Sequence, residues 1–175
     1  MHALCYNASM RKTFRYRLYP NKEQQRLLAR QLEECRWLYN HWLADRRAAW
    51  EQGQESVRLY DQHATRPARK AERPARAGVP SQVLQNVAVR IDRAFKAFFR
   101  RCAAGEQPGS PRFRGARRDA SRTFPQGPVG GQLDAGPPTP RLYVMNVGRV
   151  KLAAHRPLEG PSKTATISRR STGTW

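Results

Sequence analysis

Between Asn21 and Gly53 the apolar residues Leu28, Leu32, Cys35, Tyr39 and Trp42 return at alternating steps of four and three, and Leu27, Leu38 and Leu43 widen the stripe. That rhythm marks one face of an α-helix and no strand, because strand side chains alternate every second residue. Asn21 offers an N-cap and Gln24 the third-position partner of a capping box. Together they predict a helix that starts at Lys22, runs to about Glu51 and stops at Gly53. An amphipathic helix of this length needs a second apolar surface to cover its stripe. One follows: Ser81, after Pro80, reads as the cap of a second helix with the stripe Leu84, Val87, Ile91, Phe95, Phe98 and Cys102. The pair is expected to bury Tyr39, Trp42, Phe95 and Phe98 as core and to leave Arg90, Arg93, Lys96, Arg100 and Arg101 outside.

The flanking segments have other textures. Thr13 to Tyr19 alternates apolar Phe14, Tyr16 and Leu18 with polar residues, which predicts a half-buried strand ended by Pro20. Residues 63–80 combine Pro67, Pro74 and Pro80 with Arg66, Arg69, Lys70, Arg73 and Arg76 against the single acid Glu72, and read as a poorly ordered basic linker, with room for a short helix near Ala68 to Glu72. From Gly105 onward Gly and Pro are too frequent for helices beyond two turns, most of all around GPVGGQLDAGPPTP. Arg141 to Leu152 and Thr164 to Ser168 read as strands of a small barrel. Ser171-Thr172-Gly173 before Trp175 reads as a hairpin cut before its returning strand, hence a truncated product. The expected fold class is therefore α+β: residues 1–9 as a disordered extension before Met10, a first barrel strand in 10–20, a helical, helix-turn-helix-like insertion over 21–104, and an incomplete small β-barrel over 105–175.

Charge narrows the function. Lys and Arg number 33 against 13 Asp and Glu, a formal charge of +20. Such a surface repels itself until a polyanion relieves it. Arginine predominates, and its planar fork grips phosphate at two points and stacks on bases, which favours nucleic acid over lipid headgroups. The segment PRFRGARR interleaves Arg112, Arg114, Arg117 and Arg118 with Phe113, so the guanidinium groups can neutralise successive phosphates while Phe113 stacks on a base or anchors the loop. Arg90, Arg93, Lys96 and Arg100 form a candidate phosphate-tracking stripe on the second helix. Gln85 lies near the start of that helix, where a bidentate contact to adenine is geometrically natural.

Catalytic chemistry finds little support. Metal-assisted hydrolysis needs converging carboxylates. The acids here are scattered: Glu33 and Glu34 point to different helix faces, and beyond residue 120 there are only Asp134 and Glu159. His2, His41, His63 and His155 lack partners at ligand spacing, and Cys5, Cys35 and Cys102 form neither a C-x-x-C pair nor an even framework. The glycines around Gly130 lack the Lys-Ser/Thr sequel of a phosphate loop. The expectation is a chain with no catalytic centre, metal, cofactor or small-molecule substrate. Without a bilayer-length apolar run or a signal-peptide start, it is also expected to have no membrane partner and to reside in the cytoplasm. A general basic RNA-binding protein stays open on these grounds, as does a degenerate reading frame.

RLYPNKEQQRLL followed by R-x-L-Y-N-H, with Arg17, Leu18, Tyr19, Pro20, Gln24, Leu27, Arg36, Tyr39 and Asn40, resembles the opening of the TnpB (OrfB) family of insertion-sequence proteins. These are RNA-guided DNA nucleases related to type V CRISPR effectors. The similarity continues through Leu84 to Asn86, the A-x-x-x-F-F of Ala94, Phe98 and Phe99, the GSPRFR loop and G-R-V-K-L, and so covers the chain from Met10 to Trp175. It implies a wedge-type β-barrel interrupted by a helical recognition insertion, with guide RNA and double-stranded DNA as partners. It further implies that Gln85 and Gln126 face a short DNA motif beside the target; Arg17 joins the basic loop as a candidate binding residue. The family's RuvC-like nuclease acids and zinc ribbon have no counterpart in these 175 residues, so the resemblance implies a nuclease-dead regulator or a binding fragment of a transposase.

Overall fold

The computed structural model describes residues 12–116, 120–127, 131–134, 139–156 and 162–175, without the side chains of residues 66, 69 and 70. Its first helix, α1, spans Lys22–Gly53. The capping box forms as expected: the Gln24 N–H donates to Asn21 Oδ1 at 2.8 Å, and the Asn21 N–H to Gln24 Oε1 at 3.1 Å. The helix runs through Gly53 and ends where Gln54 turns left-handed, φ 53°. The predicted stripe is its buried face, from Leu28 to Leu43. It lies against α4, Ser81–Ala103, whose Val83, Leu84, Val87, Ala88 and Ile91 are buried in the same cluster. Pro80, not Ser81, caps α4; its carbonyl accepts from the N–H groups of Val83 (3.0 Å) and Leu84 (3.3 Å), so Ser81 is already helical.

Two expectations about the helices are corrected. The α4 stripe stops being core after Ile91: Phe95 is only partly buried, Phe98 lies outside the buried cluster and Cys102 is exposed. Arg46 of α1 covers the Phe95 ring at 5.0 Å, and Phe98 and Phe99 lie beyond it. The basic segment, in turn, is helical over more than the short stretch expected near Ala68 to Glu72: that stretch is α3 (Arg66–Glu72), preceded by α2 (Leu59–Ala64) and followed by a 3-10 turn over Pro74–Gly78. Two of its cations meet α1, and one of them, Arg73, is paired with an acid there. Arg73 Nε donates to both carboxylate oxygens of the buried Glu34, at 3.0 and 2.8 Å, and the Arg73 and Arg76 guanidinium groups face the Trp37 ring at 5.2 and 4.4 Å. Counting charge within 63–80 alone missed Glu34 and Trp37, which sit one turn apart on α1 and match the spacing of Arg73 and Arg76.

Among the described residues six strands follow the expected α+β pattern: β1 (Arg17–Tyr19), β2 (Ser121–Phe124), β3 (Gly131–Asp134), β4 (Arg141–Val144), β5 (Gly148–Ala153) and β6 (Ala165–Ser168). One antiparallel sheet has the order β1-β5-β4-β3, and β2 pairs with β6 in a second. β1 is shorter than the expected Thr13–Tyr19 strand because β5 pairs only with Arg17 to Tyr19; Tyr16 instead donates its hydroxyl to the Arg156 carbonyl at 3.2 Å. The run expected as one strand, Arg141 to Leu152, is a hairpin. Asn146 (φ 63°) and Gly148 (φ 94°) reverse the chain, conformations that Asn and Gly adopt most readily.

No closed barrel forms among the described residues, but the larger sheet meets the smaller one at its β3 edge and the segment after β6 at its β1 edge. A Cβ on Gly131 would lie 2.7 Å from Ala165 Cβ, so only glycine allows β3 this close to β6. On the other side the Leu18 N–H donates to the Trp175 carbonyl at 3.0 Å. Leu18, Val144, Val150 and Leu152 of the larger sheet and Phe124 and Ile167 of the smaller one join the helical residues in one core. A polar link crosses that core: Arg122 of β2, 1% exposed, donates from Nη1 to Gln31 Oε1, and Gln31 Nε2 donates to the Gly78 and Met145 carbonyls at 3.0 and 3.4 Å. Burial pulls the Arg122 guanidinium down to about 10, because a charge taken from water without an acid beside it is disfavoured.

Candidate nucleic-acid interface

The strand β2 runs back along α4, in the opposite direction to the helix. Arg90 Nη1 donates to the Ser121 carbonyl at 3.2 Å, and two turns earlier Gln82 Oε1 accepts the Gln126 N–H at 3.2 Å. Gln85 stands one turn after Gln82 on the same side of the helix, since residues three apart are surface neighbours. Gln85 and Gln126 are therefore brought to one end of α4, and both are exposed. Gln82 was not singled out from the sequence. Its only signal there is the three-residue spacing to Gln85.

The GSPRFR loop is fixed along α1 by side chains that the sequence reading did not assign. Asn40 Nδ2 donates to the Arg114 carbonyl (3.0 Å) and its Oδ1 accepts the Arg114 N–H (2.8 Å), the pairing a strand neighbour would supply. Two turns on, Arg47 Nη2 donates to the Pro111 carbonyl at 2.6 Å, with its guanidinium 4.9 Å above the Phe113 ring. Phe113 keeps 51% of its surface exposed, so it is neither a core anchor nor hidden from a ligand. The Arg114 guanidinium covers Tyr39 at 4.2 Å. Arg112 is exposed.

The other sequence-derived candidates divide by element. Arg93 is exposed on α4; Arg90 is half-buried and links the helix to β2. Arg17 belongs to β1, exposed, with its guanidinium 5.5 Å from the Tyr19 ring. Arg117 and Arg118 lie outside the described residues. Among the described residues no group of three or more His, Cys, Asp or Glu converges as a metal site would require, and no helix is long and apolar enough to cross a membrane. What remains is a cationic surface with two exposed amides at one end and a rigidly held arginine loop, an arrangement suited to phosphate contacts and base-edge readout.

Residues 10–55 match the helix-turn-helix domain of the IS605 OrfB proteins. Within that match the described residues form β1 and the single helix α1, and the helix that packs on α1 comes from farther along the chain. Over 167 residues, 94% of its length, the chain is 27% identical to InsQ of Escherichia coli (strain K12), named as an RNA-guided DNA endonuclease; it spans 39% of that protein's length. These two matches bear out the resemblance read from the motifs: the chain is similar to the N-terminal portion of the TnpB/OrfB family of insertion-sequence proteins.

Proposed function

We propose that this chain binds guide RNA and double-stranded DNA and does not itself cleave either. The helix-turn-helix match and the similarity to InsQ support a transposon-associated nucleic-acid-binding protein. In this reading residues 21–104 are the recognition insertion, 10–20 and 105–175 supply the barrel, and Gln85 and Gln126 read a DNA motif. Arg17, Arg90, Arg93, Arg112, Arg114, Arg117 and Arg118 supply phosphate contacts. The observation that carries the reading is the bond from the Gln126 N–H to Gln82, one helical turn before Gln85, which brings exposed Gln126 to the end of α4 that carries exposed Gln85, 41 positions away in sequence, in a chain of formal charge +20. Exposed amides can read base edges, and cations hold the backbone without reading it. The scattered acids support binding without hydrolysis.

The test is selection of duplexes with a randomised motif by the purified chain, alongside sequencing of RNA that copurifies with it. Enrichment of one motif by the parent, lost in Gln85→Ala and Gln126→Ala, is the expected result. If RNA of every kind copurifies and no motif is enriched, the chain is a general RNA-binding protein and the motif reading is wrong. Nicking of plasmid in the presence of Mg²⁺ would overturn the non-catalytic part.

A further inference from the structure

The far end of α4 carries three phenylalanines, of which Phe95 packs partly against the core and Phe98 and Phe99 lie outside it. Phe99 is 59% exposed; Phe98 meets it edge-on with centroids 5.2 Å apart, and Phe95 lies 6.1 Å from it on the inner side. Phe95 is held beneath the Arg46 guanidinium at 5.0 Å, and Arg46 is itself fixed by the Gln62 side chain at 2.9 Å, so the inner ring is anchored and the outer ones project. Helical spacing puts Lys96 next to Phe99 on one flank, with Arg93 and Arg100 beyond it, and Arg101 next to Phe98 on the other. All four cations are exposed. Among the described residues Asp92 pairs with Lys96 at 2.9 Å; the lysine is exposed and the aspartate largely buried, so the outward side of Lys96 stays open to a phosphate.

The exposed Phe99 ring and its half-buried neighbour Phe98, with Lys96, Arg93 and Arg100 on one flank and Arg101 on the other, match one kind of occupant. An acidic or apolar protein surface would use the cations or the rings; an unpaired nucleic-acid strand uses both, because its bases present π-faces and its backbone presents a phosphate at every step. A duplex offers only phosphates, since its bases are stacked on each other. We propose that Phe98 and Phe99, flanked by Lys96, Arg100 and Arg101, form a stacking platform for unpaired bases of a single strand, separate from the end of α4 that carries Gln85. This rests on the nucleic-acid-binding reading above and adds to it a site and a strand class.

The test is fluorescence of a short single strand carrying 2-aminopurine, titrated with the full chain, in parallel with anisotropy on a duplex of the same sequence. Stacking on the parent protein changes the 2-aminopurine emission. Phe99→Ala is expected to bind the single strand about five- to one-hundredfold more weakly while its duplex affinity stays unchanged. Phe99→Trp is expected to retain single-strand binding and Phe99→Leu to lose it, which separates stacking from simple burial of an apolar side chain. Equal single-strand affinity for parent, Ala and Leu variants overturns the platform while leaving the general reading intact. Failure of the parent to bind either nucleic acid overturns both. A parent that self-associates in sedimentation, with Phe99→Ala monomeric and unaltered in single-strand binding, assigns the face to a second copy of the chain instead.

Discussion

The two halves of α4 carry similar apolar periodicity and do opposite things. From Val83 to Ile91 the stripe is buried; Phe95 is partly buried beneath Arg46, and beyond it the same spacing continues outside the core, with Phe99 and Cys102 exposed. The cations follow the same division. Arg90, in the buried half, donates to β2, whereas Arg93, Arg100 and Arg101 face solvent. Periodicity states which residues share a face, and only the rest of the fold decides whether that face is covered. Here α1 ends its buried face at Arg46, so the last turns of α4 are left as an aromatic and basic ridge.

If that division is right, substitutions in the first half act on stability and those in the second on binding. The largest effect is expected for Ile91→Ala, which removes a fully buried side chain and lowers the unfolding free energy by about 2–5 kcal/mol, read from the urea midpoint. Arg73→Ala is expected to lower it by about 2 kcal/mol, less than for a fully buried pair because Arg73 is partly solvated, and to leave nucleic-acid affinity alone. A loss of affinity with unchanged stability would move the 63–80 segment from the structural side to the binding side. Replacing Arg93, Arg100 and Arg101 together by Gln should reduce the slope of log K against log salt by about 2–3, each lost phosphate contact contributing roughly 0.7–0.9, with no change in the urea midpoint. Gln85→Ala is expected to erase about tenfold discrimination at one base position, measured on paired duplexes. The smallest effect is on the stability of Phe99→Ala, expected within about 0.5 kcal/mol of the parent; a loss as large as that of Ile91→Ala would show that both halves of α4 are core.

Much of this was legible in residue order. Asn21 and Gln24 announce the start of α1, and its buried stripe reads directly from the steps of three and four, because capping and amphipathic burial are local rules. The α+β class and the likeness to the family's opening also came from sequence. What did not was every long-range polar pairing: Glu34 with Arg73, Asn40 with the Arg114 backbone, Gln82 with Gln126, Gln31 with Arg122. Each joins residues 39 to 91 positions apart, and nothing in the spacing of either partner names the other. The β4–β5 reversal was legible in principle, since Asn146 and Gly148 are turn formers, but Val147 between them preserves the appearance of one apolar strand.

Photocrosslinking with mapping of the modified peptides asks most directly which half of α4 meets nucleic acid. With a photoreactive base in a single strand, the account predicts adducts on the peptide containing Phe98 and Phe99, and with the base placed in a motif-bearing duplex, adducts near Gln85 and Gln126. Adducts distributed evenly over the basic surface, or confined to the 63–80 segment, would contradict it.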